Sequence, residues 1–487
     1  MTGSAPLWLC LLPLAMTSST PAPAAPPEPF GATPSEAQVQ WHRDELHAFV
    51  HFTVTTFTNK EWGYGDEDPA IFNPADFDAK RIVQQLKAGG FTGVILTAKH
   101  HDGFCLWPTE TTDHDIAASP YKNGKGDIVR EFADACETEG MKFGVYLSPW
   151  DRHDPRYGAP DYVTDVYRPQ LRELLTNYGP IFEVWFDGAN GGDGYYGGVN
   201  ETRNIDRTTY YDWPTTWAMV RELQPDAVMF SDVGPGCRWV GNEAGIAAET
   251  SWSTITFPDD AAPGQVDPAL LPVGTRLGEQ WIPAECDVSI RPGWFYHAAE
   301  DNRVKTPAEL MNLYLKSVGR GATFLLNVPP MPSGELHPTD VASLAAFGNH
   351  LRQTFAINLA AGATVEASST FGDGYGSAML LDGNPDTAWV PGETKGEVIL
   401  TLNKPTTFNL IRVGEDIRLG QRVGGIAVDV FVDGEWRTLC EAESVGHARI
   451  WRVPETTVNR VRLCVTESAA PPALSEFGLF REPDLKQ

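Results

Sequence analysis

The 487-residue chain is short of positive charge: 37 Lys and Arg stand against 64 Asp and Glu, a formal charge of −27. Such a surface repels nucleic acid and anionic membranes, so no nucleic-acid partner is expected and a neutral or cationic ligand is favoured. Beyond residue 16 no stretch approaches 18 consecutive apolar residues, so no membrane insertion is expected. Cysteine is scarce, seven in all, with no Cys-x-x-Cys and no Cys/His spacing of a structural zinc site. No glycine-rich phosphate loop follows the first strand-like run, which counts against a dinucleotide-binding sheet.

Aromatic residues, by contrast, are plentiful: 15 Trp, 14 Tyr and 23 Phe, rings that serve cores and also stack on the C–H faces of sugars. The start of the chain reads as a targeting segment. "APLWLCLLPLAM" (5–16) has the length of a secretory apolar region, with no Lys or Arg before it, and a Pro/Ala-rich stretch follows. Residues 1–35 are therefore expected to be a signal peptide and linker, and the protein to be secreted or periplasmic. Cys10 falls within that segment. Of the six others, Cys105, Cys136, Cys237, Cys286, Cys440 and Cys464, the last two lie on neighbouring strand-like runs and form the one disulfide pairing to consider.

From residue 36 to about 355, short β-rich runs alternate with helical patterns. "LHAFVHFTV" (46–54), "FTGVILTAKH" (91–100), "MKFGVYLSPW" (141–150) and "IFEVWFDG" (181–188) read as strands. "NPADFDAKRIVQQLKAGG" (73–90) reads as a helix capped by Asp76 and stopped by Gly89-Gly90, and "GDIVREFADACETEG" (126–140) as another. About six such units precede residue 330, and polar residues recur at strand ends: His51, His100-His101, Ser148 to Asp151, Asp187 and Asp232. A (β/α)8-like (TIM-type) barrel gathers such ends around one mouth. Residues 356–487 have short alternating runs with Gly/Asp/Asn turns, the pattern of an antiparallel β-sandwich.

"LTAKHHDGF" (96–104) leaves three readings open: a metal site, an acid–base centre or a polar clamp on a substrate. Adjacent strand residues point to opposite faces, so His100 and His101 share a metal only where the strand has broken, and the first strand offers His51 alone rather than His-x-His. The clamp reading has imidazole N–H groups donating to sugar hydroxyls. Asp187, ending an apolar strand in "VWFDGA", is a candidate reactive carboxylate. Glu61, Glu243, Glu249 and Glu285 are candidates for a second, each in an aromatic, low-charge setting that raises a carboxyl pKa. A carboxylate pair among Trp, Tyr and His at a barrel mouth suits glycosidic-bond cleavage.

The motifs "FVHF", "NKEWGYG", "GVILTAKHHDGF", "FGVYLSPWD", "VWFDGA", "RPGWFYH" and "GATFLLNVPPMPSGEL", in this order, resemble glycoside hydrolase family 29, the retaining α-L-fucosidases. "WVGNEAG" and "AECDVSIRPGWFYH" resemble the branch selective for α-1,3/1,4-linked fucose of Lewis-type glycans, while "LLDGNPDTAWVP" resembles discoidin-like, galactose-binding sandwich modules. The resemblance implies double displacement through a covalent glycosyl-enzyme, with Asp187 as nucleophile and Glu243, or as runner-up Glu285, as acid/base. It also implies a fucose pocket lined by His51, Glu61, Trp62, His100, His101 and Tyr146, with Trp294 packed near the sugar's methyl side. No cofactor and no metal are implied. The partner is a fucosylated oligosaccharide or glycoconjugate, with glycan contact through the C-terminal module. Where many members read "HWG", this chain has His51-Phe52-Thr53. A non-catalytic carbohydrate-binding protein, a metal-dependent barrel hydrolase and a fucosidase of broader linkage range are the competing readings.

Overall fold

The computed structural model describes residues 26–484, together with Met1 and Gly3. The apolar run at 5–16 and Cys10 lie outside the described residues; of the expected signal and linker segment 1–35, residues 26–35 are described, and the Phe30 N–H bonds the Leu419 carbonyl at 3.0 Å. Eight parallel strands close into a barrel in chain order: β1 (Leu46–Val50), β2 (Gly93–Lys99), β3 (Lys142–Leu147), β4 (Glu183–Trp185), β5 (Val228–Ser231), β6 (Cys237–Trp239), β7 (Ala284–Ser289) and β8 (Thr323–Asn327), with β8 pairing back onto β1. Helix α1 (Glu36–Asp44) precedes the barrel; α2 (Ala79–Ala88), α3 (Ile128–Glu139), α4 (Arg168–Asn177) and α5 (Trp213–Leu223) separate the first five strands. α6 (Pro307–Lys316) lies between β7 and β8, and α7 (Pro338–Phe355) follows. No helix longer than one turn is interposed elsewhere: residues 232–236 join β5 to β6, and 240–283 carry only the ribbon Thr254–Ile255 with Gln280–Trp281.

Local chemistry sets these ends. The expected cap Asp76 is displaced by Asp78, which accepts the Arg81 N–H at 3.1 Å, whereas the Asp76 backbone N–H goes to Ser333. Only the residue directly before the first helical turn reaches its free amides. α2 then buries Ile82, Val83 and Leu86. α3 stops at Gly140, whose φ of 66° is the left-handed cap that glycine adopts without strain.

Because side chains alternate along a strand, each inward-facing series climbs from barrel floor to mouth. β1 contributes His47, Phe49 and, just past its end, His51. β4 contributes Glu183, Trp185 and Asp187; β7 contributes Glu285, Asp287 and Ser289; β8 contributes Thr323, Leu325 and Asn327. Phe49, Ile95, Tyr146, Trp185, Phe230 and Leu325 form the apolar middle layer. Below it, the Phe182 ring fills the space left by Gly93 and Gly144, where a Cβ would lie 2.7 and 3.1 Å from it.

The C-terminal part is an antiparallel sandwich of β9 (Thr364–Ala367), β10 (Gly396–Glu415), β11 (Val423–Val432), β12 (Glu435–Ala442), β13 (Arg449–Ser468) and β14 (Leu474–Phe480). Trp389, Phe408, Ile411, Val461 and Phe477 are in its core. Cys440 sits opposite Val428 of β11 and Cys464 opposite Ala427, so the two thiols lie on opposite faces of the sheet, on strands separated by β11. Both are free, which removes the considered disulfide. The sandwich is bonded to the barrel: Glu45, at the start of β1, accepts from Arg412 of β10 at 2.6 Å and from Tyr314 of α6 at 2.7 Å. Glu249 likewise bridges Arg320 and Arg449. Among the described residues no helix is long and apolar enough to cross a membrane.

Candidate active site

A cavity of about 280 Å³ opens at the mouth ends of the barrel strands. His51, Trp62, His100, His101, Tyr146, Asp187, Glu243 and Trp294, all named from the sequence, line it together. Asp232, expected from the sequence among the polar strand ends at the mouth, lines it as well, as do Trp185, Trp239 and Asp287, which sequence reasoning did not single out as site residues. A period-two signal could have found Asp287: Glu285-x-Asp287-x-Ser289 repeats the spacing of Trp185-x-Asp187 and Phe230-x-Asp232.

Asp187 is held from two sides. Its Oδ1 accepts the Ala189 N–H at 2.7 Å and its Oδ2 accepts the Tyr146 hydroxyl at 2.8 Å, with His101 Nε2 3.6 Å from the same oxygen. Burial raises its pKa above the ordinary aspartate value, while the two hydrogen bonds pull the other way. Glu243 comes from the loop after β6. Its Oε2 accepts the Trp294 indole N–H at 3.2 Å, and partial burial, together with the charges of Asp187 and Glu61, raises its pKa. Asp232 packs against Gly188, where a Cβ would come within 2.1 Å of its Oδ2, and that oxygen takes the Gly264 N–H at 2.7 Å. Burial and the charge of Asp187 push Asp232 up to about 6. Asp287, bonded to Trp239 Nε1 at 2.9 Å, is raised well above the usual range by burial and by Glu243. Four carboxyl groups thus share a cavity whose lining contains no Lys or Arg; burial raises the pKa of each, and repulsion from a neighbouring carboxylate adds to it at Asp232, Glu243 and Asp287.

The histidines are neutral: burial lowers His51 and His101 to about 3 and His100 well below its ordinary value. Their tautomers follow from their partners. Ser148 Oγ donates to the Trp150 carbonyl at 2.6 Å, so it accepts from His101 Nδ1–H at 2.7 Å, and His101 Nε2 carries a lone pair. Asn327 Nδ2 donates to the Trp294 carbonyl at 2.8 Å, which fixes its Oδ1 as the acceptor of His51 Nδ1–H at 2.9 Å. His51 Nε2 is therefore also an acceptor. These two atoms are hydrogen-bond acceptors rather than the expected N–H donors. His100 stacks on Tyr146 with ring centroids 5.7 Å apart, and His101 meets the edge of the exposed Trp62 ring at 5.1 Å.

The rest of "HHDG" is scaffolding. Asp102 accepts from the Thr53 and Thr55 hydroxyls at 2.5 and 2.6 Å, bracing the loop after β1 against the histidine turn. Behind it, buried Lys99 reaches Asp151, Tyr162 and Gln170 within 3.2 Å. Gly103 has φ 77°, and a Cβ there would stand 2.5 Å from Asp151 Oδ1.

Three named glutamates lie outside the lining. Glu61 accepts the Trp294 backbone N–H and bonds His297 Nε2 at 2.9 Å, tying the loop after β1 to the one after β7. Glu285 is on the barrel floor, 0% exposed, accepting the Trp185 indole N–H at 3.1 Å. Glu249 sits at the junction with the sandwich, between Arg320 and Arg449. Among the described residues, one group of three His, Cys, Asp or Glu converges within ligand reach, His47, Glu183 and Glu285, and it excludes the mouth histidines.

The chain matches the family model "Alpha-L-fucosidase" over residues 28–354 and the model "F5/8 type C domain" over 364–477. It is 40% identical over 464 residues to alpha-L-fucosidase 1 of Arabidopsis thaliana, covering 94% of this chain and 89% of that one. A solved glycoside hydrolase 29 family member from an unknown rumen bacterium superposes with a TM-score of 0.84 at 45% identity, over 94% of this chain and 79% of that one. A Ruminococcus gnavus GH29 fucosidase in complex with fucose gives 0.81 at 33% identity, over 95% and 97%. A closed parallel barrel with a carboxylate-rich mouth, these matches and the appended sandwich lead to one conclusion: the chain belongs to the α-L-fucosidases of glycoside hydrolase family 29 and carries an F5/8 type C domain.

Proposed function

We propose that the protein is an exo-acting, retaining α-L-fucosidase that releases terminal α-1,3/1,4-linked L-fucose from Lewis-type oligosaccharides or glycoconjugates. The observation that carries this reading is the shared cavity of Asp187 and Glu243: burial raises both carboxyls, but Asp187 takes two hydrogen bonds that favour ionisation, whereas Glu243 takes one and is raised further by the charge of Asp187. Those are the states a nucleophile and a general acid need at the start of double displacement. A cavity of about 280 Å³ suits a single sugar ring better than a chain, which supports exo action.

In the first step Asp187 attacks the anomeric carbon while Glu243 gives its proton to the leaving oxygen, and the C1–O bond of the aglycone is exchanged for an ester to Asp187. In the second, Glu243 takes a proton from water, whose oxygen attacks the same carbon and frees Asp187. His51 and His101 accept sugar hydroxyl protons at Nε2, and Trp62 and Trp294 pack on the ring's apolar side. Glu61 acts behind Trp294. The F5/8 type C domain makes glycan contact without taking part in the chemistry, and the apolar run at 5–16 directs export.

The test is digestion of Lewis a, Lewis x and 2′-fucosyl (α-1,2) oligosaccharides side by side. Release from the first two with little from the third supports the linkage reading; equal release from all three replaces it with broad specificity.

A further inference from the structure

The barrel floor holds a second polar centre that the fucosidase chemistry does not use. His47, Glu183 and Glu285 project inward from β1, β4 and β7, and their side chains are 0% exposed. His47 Nδ1 stands 3.6 Å from Glu183 Oε2 and 3.6 Å from Glu285 Oε1, and one ligand atom from each residue lies within 4.8 Å of the others. Those separations are too long for hydrogen bonds and match the edges of a coordination polyhedron with bonds of about 2.0–2.2 Å.

Unsatisfied atoms concentrate here. Both nitrogens of His47, Glu285 Oε1 and Thr323 Oγ1 are buried with no partner, and Thr323 pairs with Glu285 in the β7–β8 register. Native interiors contain few such atoms, and a knot of them marks the place of an ion or water. Charge separates the two. Two carboxyl groups are buried together with no Lys or Arg bonded to either; burial and Glu285 push Glu183 well above the ordinary range, so a proton or a cation must neutralise the pair, and the two unpartnered nitrogens of His47 favour the cation. The outer contacts are those a ligated carboxylate needs: the Trp41 indole donates to Glu183 Oε2 at 2.9 Å and the Trp185 indole to Glu285 Oε2 at 3.1 Å. The Cys237 thiol donates to the outer oxygen of Glu183, Oε1, at 3.8 Å.

We propose that His47, Glu183 and Glu285 hold a divalent transition-metal ion of the zinc class as a structural centre beneath the active site. Its nitrogen and carboxylate ligands suit zinc, cobalt or manganese rather than calcium or magnesium, which prefer all-oxygen sets. The ion joins three strands distant in sequence and, through the Glu285–Trp185 hydrogen bond, fixes the indole that floors the sugar cavity.

The experiment loads the full-length protein with Zn²⁺ or Co²⁺ during refolding, removes loose metal by gel filtration, and measures metal content and the visible Co²⁺ spectrum. His47→Phe and Glu183→Gln are compared under the same conditions. About one ion per chain, a Co²⁺ d–d band, a higher melting temperature with metal than without, and loss of all three in His47→Phe are the expected results. Wild-type protein that is folded and active with less than about a tenth of an ion per chain, and whose melting is indifferent to metal, overturns the proposal and leaves shared protons as the neutralising charge. Because this arm uses the wild-type protein, it decides the matter even if a variant fails to fold. It is also independent of linkage specificity.

Discussion

The Tyr146 hydroxyl donates to Asp187 at 2.8 Å from the neighbouring strand, and this bond offsets the burial that pushes the Asp187 carboxyl toward its neutral form. A nucleophile must be ionised, so Tyr146 bears on the acid side of the pH–rate profile. Tyr146→Phe removes a bond that lowers the pKa of Asp187, which therefore rises. The acid limb of kcat/KM is expected to move to higher pH, with a fall of about 10–100-fold at the optimum. An unmoved acid limb counts against this role.

Trp294 acts with the same sign on the other carboxyl. Its indole stabilises the charged form of Glu243, so Trp294→Phe raises the Glu243 pKa and keeps the acid protonated to higher pH. The alkaline limb is expected to shift upward while the acid limb stays put. pH–rate profiles with an aryl α-fucoside measure both. A downward shift identifies a different group as the acid.

Ser148 sets the tautomer of His101 by accepting Nδ1–H while giving its own proton to Trp150. In Ser148→Ala the imidazole is free to protonate at Nε2 and loses its accepting lone pair for part of the time. KM for fucosides is expected to rise about 3–10-fold, with kcat changed less. A kcat defect with KM intact assigns Ser148 elsewhere.

The sandwich is bonded to the barrel as part of its scaffold. Burial alone raises the Glu45 carboxyl, but Arg412 and His447 more than reverse this and hold it well below the usual carboxylate range. With the folded value depressed, the stabilisation is complete above the unfolded value, about 4.3, and is lost as pH falls toward the folded one. Glu45→Ala is expected to cost about 2–4 kcal/mol in denaturant unfolding at pH 7, and progressively less below pH 4. By the same contacts, a chain ending at residue 356 is expected to lose activity on small fucosides, because Arg412 and Arg449 leave with the sandwich. Full activity in that truncation makes the sandwich an appendage.

What could be read from the sequence follows the distribution of apolar side chains. β1 to β5 and β8 announce themselves as apolar runs, buried by helices outside and rings inside. β6 and β7 do not, since Arg238, Glu285 and Asp287 interrupt any such run. Those side chains are turned to internal tasks: Arg238 ties down loop carbonyls of Leu271 and Trp252, Asp287 enters the cavity, and Glu285 reaches the floor. Sequence distance also hid the converging carboxyls. Asp187, Asp232, Glu243 and Asp287 meet only because a barrel closes; the period-two alternation marks the three aspartates as sharing one strand face, but no spacing places Glu243, which comes from a loop. His51 and His101 were legible as strand-end residues, but which ring nitrogen of each bears the proton was not, because that depends on Asn327 and Ser148 from other strands.

The central claim is that Asp187 is the atom-bearing nucleophile of a retaining fucosidase. Incubation with a 2-deoxy-2-fluoro-L-fucosyl donor, which slows hydrolysis of the glycosyl-enzyme, followed by peptide mapping, tests it most directly. One fluorofucosyl adduct on the peptide containing Asp187, absent in Asp187→Ala, is the expected result. An adduct on Asp232, Glu243 or Asp287 with Asp187 unmodified contradicts it, as does an Asp187→Ala variant that turns over aryl fucoside at the wild-type rate.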